Sequence, residues 1–252
     1  MAEPLKGLIV GLANEQSIAW GCARAFRNNG ADLAITWLNE KTRSFIEPLA
    51  DSVSADIFLP LDVTNEEQVD AVFAEIGAKW GKLDFLLHSI AFAPKDDLQG
   101  RVLDSSVEGF KIAMDISCHS LIRLARRAEP LMKDGGSILT MSYYGAEKVI
   151  ENYNLMGPVK SALEASVRYL AKELGPQHIR VNAISPGPVK TRAASGLTHF
   201  DNLMEKAAQT APISSLVSIE QIGEAAAFLV SDKSRNITGQ TIYVDNGYNT
   251  IG

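Results

Sequence analysis

The chain has 252 residues, 46% hydrophobic and 21% charged, a balance that fits a soluble α/β protein with a sizeable core. Its net charge of -6 argues against nucleic acid or an anionic membrane surface as the main partner. The two cysteines, Cys22 and Cys118, both fall inside helical patterns and read as small packing residues, with no disulfide framework or zinc site implied.

No apolar run approaches the roughly 20 residues of a membrane span. Residues 1–7 lack the basic and long apolar regions of a signal peptide, so a cytoplasmic protein is expected. Residues 7–11 form a short apolar run closed by glycine and read as a first strand. Ser17 is expected to cap a helix whose apolar residues recur at Ile18, Trp20, Cys22 and Phe26. Further strands are expected at 31–37, 55–61 and 83–91, with a charged helix at about 66–80. One long helix of about 105–131 leads to a strand at 137–141. A helix at about 158–174 precedes a strand at 180–185 and the turn Pro186-Gly187-Pro188. A helix at 219–229 and a strand at 241–245 close the chain. Strands alternating with helices predict a single α/β domain spanning 1–252, a doubly wound parallel sheet of about seven strands with helices on both faces. Such sheets bind ligands at the carboxyl ends of their strands, near the switch in strand order.

The segment from Gly11 through Ser17 and Ile18 to Gly21 joins the first strand to the first helix. A diphosphate there meets free backbone N–H groups and the positive helix end. Gly11 permits a tight turn, and Gly21 is expected to let helix and strand approach. The spacing is not Gly-x-Gly-x-x-Gly, and a simple capped turn is the competing reading. Asp62, at the end of the third strand, reads either as an acceptor for an adenine amino group or as an exposed turn residue.

Residues 142–160 hold three tyrosines and two lysines, after a buried strand and before a helix. Tyr144 and Lys148 are four apart, the spacing of neighbours on a helix. Gly145 follows Tyr144 at once, however, and Val149 and Ile150 favour extended structure. Tyr153 and Lys160 are seven apart, nearly two helical turns, with Pro158 suited to the first turn of the helix that carries Lys160. That spacing suits two groups gripping one bound molecule. A surface tyrosine with a solvated lysine is the plain alternative for either pair.

Together these segments resemble one family over nearly the whole chain. The segments are Gly11 with Ser17-Ile18-Ala19; Asp62-Val63; His88-Ser89-Ile90-Ala91-Phe92-Ala93-Pro94; Glu108-Gly109-Phe110-Lys111; Ser142-Tyr143; Asn152-Tyr153-Asn154; Lys160; and 180–185. The chain resembles the short-chain dehydrogenase/reductases and, within them, the bacterial enoyl-acyl carrier protein reductases. The Tyr153-x6-Lys160 spacing is the specific mark, because ordinary members use Tyr-x3-Lys with a serine about a dozen residues earlier. Tyr144-x3-Lys148 mimics that spacing without the serine, and is read as a surface pair of no assigned chemistry.

The resemblance implies a Rossmann-like fold and hydride transfer from NADH to the β-carbon of a trans-2-enoyl thioester. Tyr153 would donate to the enolate oxygen, Lys160 would hold the nicotinamide ribose and assist Tyr153, and Tyr143 would line the substrate pocket. Gly11, Ser17, Ile18, Leu38, Asp62, Val63, Ser89, Ile90, Val189, Lys190, Thr191, Arg192 and Ala193 would hold the cofactor, and Ala93 would touch substrate. Residues 194–216 would cover the substrate. No metal is implied, and a homotetramer is. Leu38 departs from the family's polar residue near the adenine ribose, Ala91 from its glycine. Thr198, Asp201 and Asn202 stand where relatives often carry basic residues, which leaves the carrier open between acyl carrier protein and coenzyme A. No basic cluster sits at 36–38, so NADH is expected, with Lys41 and Arg43 near enough to keep NADPH possible. The competing readings are an ordinary 3-oxoacyl or alcohol reductase using Tyr144 and Lys148, an enoyl-coenzyme A reductase, and a catalytically dead cofactor sensor.

Overall fold

Seven short apolar runs form the strands of one sheet: β1 (Lys6–Val10), β2 (Asp32–Trp37), β3 (Ile57–Pro60), β4 (Phe85–His88), β5 (Gly136–Met141), β6 (Ile179–Pro186) and β7 (Thr241–Val244). The structure, a computed structural model, describes residues 3–191 and 200–251. All neighbouring strands pair parallel, in the order β3-β2-β1-β4-β5-β6-β7. The order reverses between β1 and β4, which opens a crevice beyond their carboxyl ends.

Parallel strands buried on both faces are apolar at successive positions, and here the alternation separates two cores. Leu8, Val10, Leu86 and Ile138 enter one, with side chains from α3 (Glu66–Trp80), α6 (Ser120–Ala128) and α7 (Met156–Leu174). Ile9, Ile35, Leu87 and Leu139 enter the other, with α1 (Ile18–Asn28), α2 (Glu40–Ser52) and α9 (Ile219–Val230). Each such leucine or isoleucine contributes about 1.5–3 kcal/mol on burial, so the two cores fix the strand order from both sides. Cys22 and Cys118 are buried free thiols, as expected of packing residues.

Four local expectations are corrected. The long helix expected at 105–131 is broken into α5 (Val107–Met114), a π-turn (Asp115–His119), α6 and a final 3-10 turn (Glu129–Leu131). The strand expected to reach Ala91 stops at His88, and a short helix, α4 (Lys95–Gln99), follows the loop after it. Helix α2 lies outside the expected elements, because Pro48 inside it interrupts the helical pattern of the sequence. It is set instead by a capping box between Asn39 and Thr42 and by the buried stripe Thr42, Ile46 and Ala50. Gly21 serves a helix–helix contact, not a helix–strand one. A Cβ there would lie 2.0 Å from the Ile219 carbonyl oxygen, and one at Gly223 would lie 2.3 Å from that of Gly21. The missing side chains let α1 and α9 touch backbone to backbone.

Candidate active site

The passage from β5 to α7 builds the centre of the site. Tyr143 is extended, with φ -159° and ψ 150°, so its side chain and that of Tyr144 leave on opposite sides. Tyr143 turns toward Tyr153, the ring centroids 4.7 Å apart and tilted by 58°. Tyr144 turns away to Tyr243 and Tyr248. Tyr153 sits between Asn152 and Asn154, both with positive φ (63° and 47°), a conformation asparagine tolerates better than most residues. The Asn154 amide holds the turn by donating to the Leu98 carbonyl at 3.0 Å. Gly145 lies against the Tyr153 ring, where an added Cβ would be 2.4 Å from Cδ1. Val149 and Ile150 lie in a turn segment, outside any strand.

Helix α7 begins at Met156 and places Lys160 in its first turns, 4% exposed, with Nζ donating to the Met141 carbonyl at the end of β5 at 2.6 Å. Burial pulls the Lys160 ammonium down to about 8, against a partly restoring effect of the Cys118 and Glu164 groups. Glu164, one turn on, accepts from Ser142 Oγ at 2.5 Å, and burial raises its carboxyl above the usual range. Burial also pushes the Tyr153 hydroxyl well above the ordinary phenol range, with Tyr143 and Glu164 adding to it. Tyr153 is therefore a neutral donor at any ordinary pH. The Tyr143 hydroxyl is likewise raised by burial and has no hydrogen-bond partner among the described residues. A buried hydroxyl left unpaired costs about 1–3 kcal/mol, which an incoming acceptor would recover. Ala93, Tyr143 and Tyr153 share one apolar cluster, and Ile90 and Leu203 pack against it. Leu203 comes from α8 (Phe200–Thr210), inside the segment expected to cover the substrate.

The crevice beside this centre fits a dinucleotide. Gly11 has φ +102°, and a Cβ there would meet the Ser89 carbonyl oxygen at 2.1 Å, so the ends of β1 and β4 close on each other only through glycine. Ser17 does not cap α1 with its side chain. Its Oγ instead accepts from the Ala13 and Asn14 N–H groups at 3.1 and 3.0 Å, folding the loop back and leaving the start of α1 open to an anion. Ile18 and Val189 border the core on this side, and Ser89 N–H donates to the Val10 carbonyl. Asp62 closes its own turn, with Oδ1 accepting from the Thr64 N–H and hydroxyl at 2.9 and 2.7 Å; Val63 is buried. Leu38 is 52% exposed just past β2. Val189 and Thr191 are joined by a backbone hydrogen bond, and Lys190 is exposed beside them. Arg192, Ala193 and Thr198 lie outside the described residues, as does the Asp201 side chain.

The π-turn was not legible in the sequence, yet it holds the loop after β4. Ser117 is fully buried; its Oγ accepts from Phe92 N–H and donates to Phe92 carbonyl, both at 2.8 Å. His88 bridges Thr140 and Ser120 at 2.8 Å each. Ser120 gives its proton to the Ile116 carbonyl at 2.6 Å, so it accepts from His88 Nε2 and Thr140 donates to Nδ1. Burial, with the Lys160 charge adding, holds His88 down to about 3, so it is a neutral strut with no acid–base part. Single-turn π-bulges within helices occur frequently at functional sites.

A family model described as "Enoyl-(Acyl carrier protein) reductase" matches residues 11–249. The chain belongs to this enoyl-acyl carrier protein reductase family. The reductase is 50% identical over 98% of its length to "Enoyl-[acyl-carrier-protein] reductase [NADH] 1" of Rhizobium meliloti, covering 91% of that protein. It is 46% identical over 100% of its length to the NADH enzyme of Aquifex aeolicus, covering 94% of it. Among solved structures, the Anaplasma phagocytophilum reductase in complex with NAD superposes with a TM-score of 0.95, at 47% identity over 99% of this chain and 95% of that one. The Bacillus cereus reductase with NADP+ and an indole naphthyridinone gives 0.96, at 43% identity over 98% and 97%. The fold reading stands: a single Rossmann-like domain with a seven-stranded parallel sheet and helices on both faces.

Proposed function

We infer that this NADH-dependent reductase reduces the trans-2 double bond of an enoyl thioester, carried on acyl carrier protein, and that Tyr153 and Lys160 are its working pair. The observation that carries the assignment of roles is the burial of Tyr153 between Gly145 and Tyr143, with Lys160 likewise buried at the carboxyl end of β5. Bound NADH supplies the hydride that adds to the substrate β-carbon. The π pair shifts so that negative charge gathers on the thioester oxygen, and a proton taken up from water at the α-carbon, as the enolate collapses, completes the reduction. Tyr153, kept protonated by burial, donates to that oxygen from a position fixed before the reaction. Tyr143 lines the acyl pocket and offers its unpaired hydroxyl to the same region. Lys160 binds the ribose hydroxyls on the nicotinamide side, and its charge favours negative charge on the oxygen facing Tyr153. Gly11, Ser17 and Ile18 hold the diphosphate at the start of α1, Asp62 and Val63 the adenine, and Ser89, Ile90 and 189–193 the nicotinamide half.

The segment 194–216 covers the substrate, supported by Leu203 against the Tyr143–Tyr153 cluster and by Ala207 and Ala211 against Tyr144 and Tyr248. Steering toward an acidic carrier is weak in a chain of net charge -6 with Asp201 in its covering segment, so the carrier-linked rate should fall little with added salt. For assembly we propose a homotetramer, supported by an apolar groove on α5, α6 and α7 with exposed Phe110 and Ile122. Among the described residues no helix is long and apolar enough to cross a membrane, which accords with a cytoplasmic enzyme.

The deciding experiment is NADH oxidation with trans-2-enoyl and 3-oxoacyl thioesters of equal length. The enoyl substrate should be turned over and the 3-oxoacyl substrate left. The reverse preference would replace this reading with an ordinary ketoreductase.

A further inference from the structure

The carboxyl end of β2 carries a cation that is already engaged. Arg43, in the first turns of α2, stacks over the Trp37 ring, with its guanidinium carbon 5.4 Å from the centroid. It pairs with Glu47 one turn on at 3.2 Å and with Glu40 at 3.6 Å. Trp37 ends β2 and Leu38 follows it. In a doubly wound sheet this strand end receives the adenosine ribose, where an acidic residue meets a 2′-hydroxyl and an arginine accommodates a 2′-phosphate.

We propose that Glu40 and Glu47 are specificity-determining residues, acting through Arg43 to deny this site an adenosine 2′-phosphate. The inference rests on the dinucleotide reading of the crevice. Arg43 stands where a phosphate anchor is needed, but two carboxylates meet its terminal nitrogens. With exposed Lys41 on the same first turn, two cations stand against two anions, so the cluster is close to neutral and leaves no net positive charge to draw a phosphate, while a neutral ribose is unaffected. The ion pairs need not be strong for the device to work. Their side chains are 42–76% exposed, and such pairs add little to stability. What they set is the local charge and the occupancy of the guanidinium fork. Related structures hold NAD in one case and NADP+ in another, so the choice is made by local residues and not by the fold.

The test is cofactor binding to the full chain without substrate, by titration calorimetry, for the wild type and for Glu40→Gln with Glu47→Gln. Neither carboxylate is placed against the cofactor, and both are surface positions, so folding is not at risk. The double variant raises the local charge by two units, from near zero to positive, while keeping side-chain length. NADPH should bind on the order of tenfold tighter than to wild type at low salt, with NADH moving less than about twofold. Adding Arg43→Gln should remove the gain, and so should raised ionic strength. An unchanged NADPH affinity in the double variant, or a gain that survives Arg43→Gln, would overturn the proposal. Failure of the wild type to bind either dinucleotide is a different result and would overturn the reductase reading itself.

Discussion

The two tyrosine–lysine pairs between β5 and α7 differ in almost everything except residue type. Tyr144 and Lys148 have the spacing of direct helical neighbours, and a backbone hydrogen bond from Lys148 N–H to the Tyr144 carbonyl does close one turn there. Yet Tyr144 is buried against Tyr243, Tyr248 and Ala207, while Lys148 points to solvent. Tyr153 and Lys160 lie seven apart, one before the helix and one inside it, and both are buried at the carboxyl end of β5. What separates the pairs is environment. Burial keeps the Tyr153 hydroxyl protonated and softens the Lys160 ammonium, while Tyr144 packs among aromatic rings and Lys148 is exposed.

The comparison is broken most sharply by removing Lys160. Lys160→Ala deletes a buried cation and, on the proposed roles, its bonds to the cofactor ribose. Hydrogen bonds to charged groups are worth about 1.5–3 kcal/mol, so NADH affinity should fall by roughly ten- to a hundredfold, with turnover falling as well. Tyr153→Phe keeps the ring that packs on Gly145 and loses only the donor. Turnover should drop by up to about a hundred- to a thousandfold, the cost of a lost oxyanion donor, with NADH affinity unchanged. Fluorescence titration and steady-state rates with one enoyl thioester separate the two. Normal NADH binding by Lys160→Ala would remove the lysine from the cofactor site.

The same pair gives a pH dependence. Lys160 in the free enzyme titrates near 8, lowered by burial. Its charged form dominates below that value and is lost above it. On the proposed role, kcat/KM should be level on the acid side of 8 and fall about tenfold per pH unit beyond it, since kcat/KM reports the free enzyme. The fall in kcat should come at higher pH, because a bound anionic cofactor favours the ammonium. A kcat/KM profile flat to pH 10 would show that the charge is not needed.

The parallel sheet was legible because both-face burial writes continuous apolar runs, whereas spacing alone left Tyr153 and Lys160 no better than a surface pair until the family resemblance singled them out. Asn152 and Asn154 carried a further local signal, two residues that tolerate positive φ on either side of one tyrosine. Other features depend on contacts distant in sequence. Gly21 reads as a turn-side glycine until Gly223 is placed against it. The π-turn leaves no periodic mark, since 105–131 remains amphipathic through it, and Ser117 gains meaning only beside Phe92. Ser17 looks like a helix cap and is one by position, but its hydroxyl answers to Ala13 and Asn14. The occupation of Arg43 by two glutamates and a tryptophan was hidden because α2 itself was hidden.

The smallest effects belong to the other pair, and they sharpen the comparison by splitting it. The sequence suggested that Tyr144 is a surface residue; at 4% exposure it is not. Tyr144→Ala would remove a buried ring from the cluster that includes Ala207 and Ala211 of the covering segment. Deleting a buried aromatic costs about 3–5 kcal/mol, so the loss should appear in the unfolding midpoint. Tyr144→Phe keeps the ring and should leave turnover within about threefold, because no reacting atom is assigned to its hydroxyl. Lys148→Ala should be smaller still. The side chain is exposed, so stability should stay within about 0.5 kcal/mol and turnover within about threefold. Denaturant unfolding and enoyl reductase rates on all three variants test this. If Lys148→Ala were inactive while remaining folded, the surface lysine would be doing chemistry, and the Tyr144–Lys148 spacing would have to be taken as the working one.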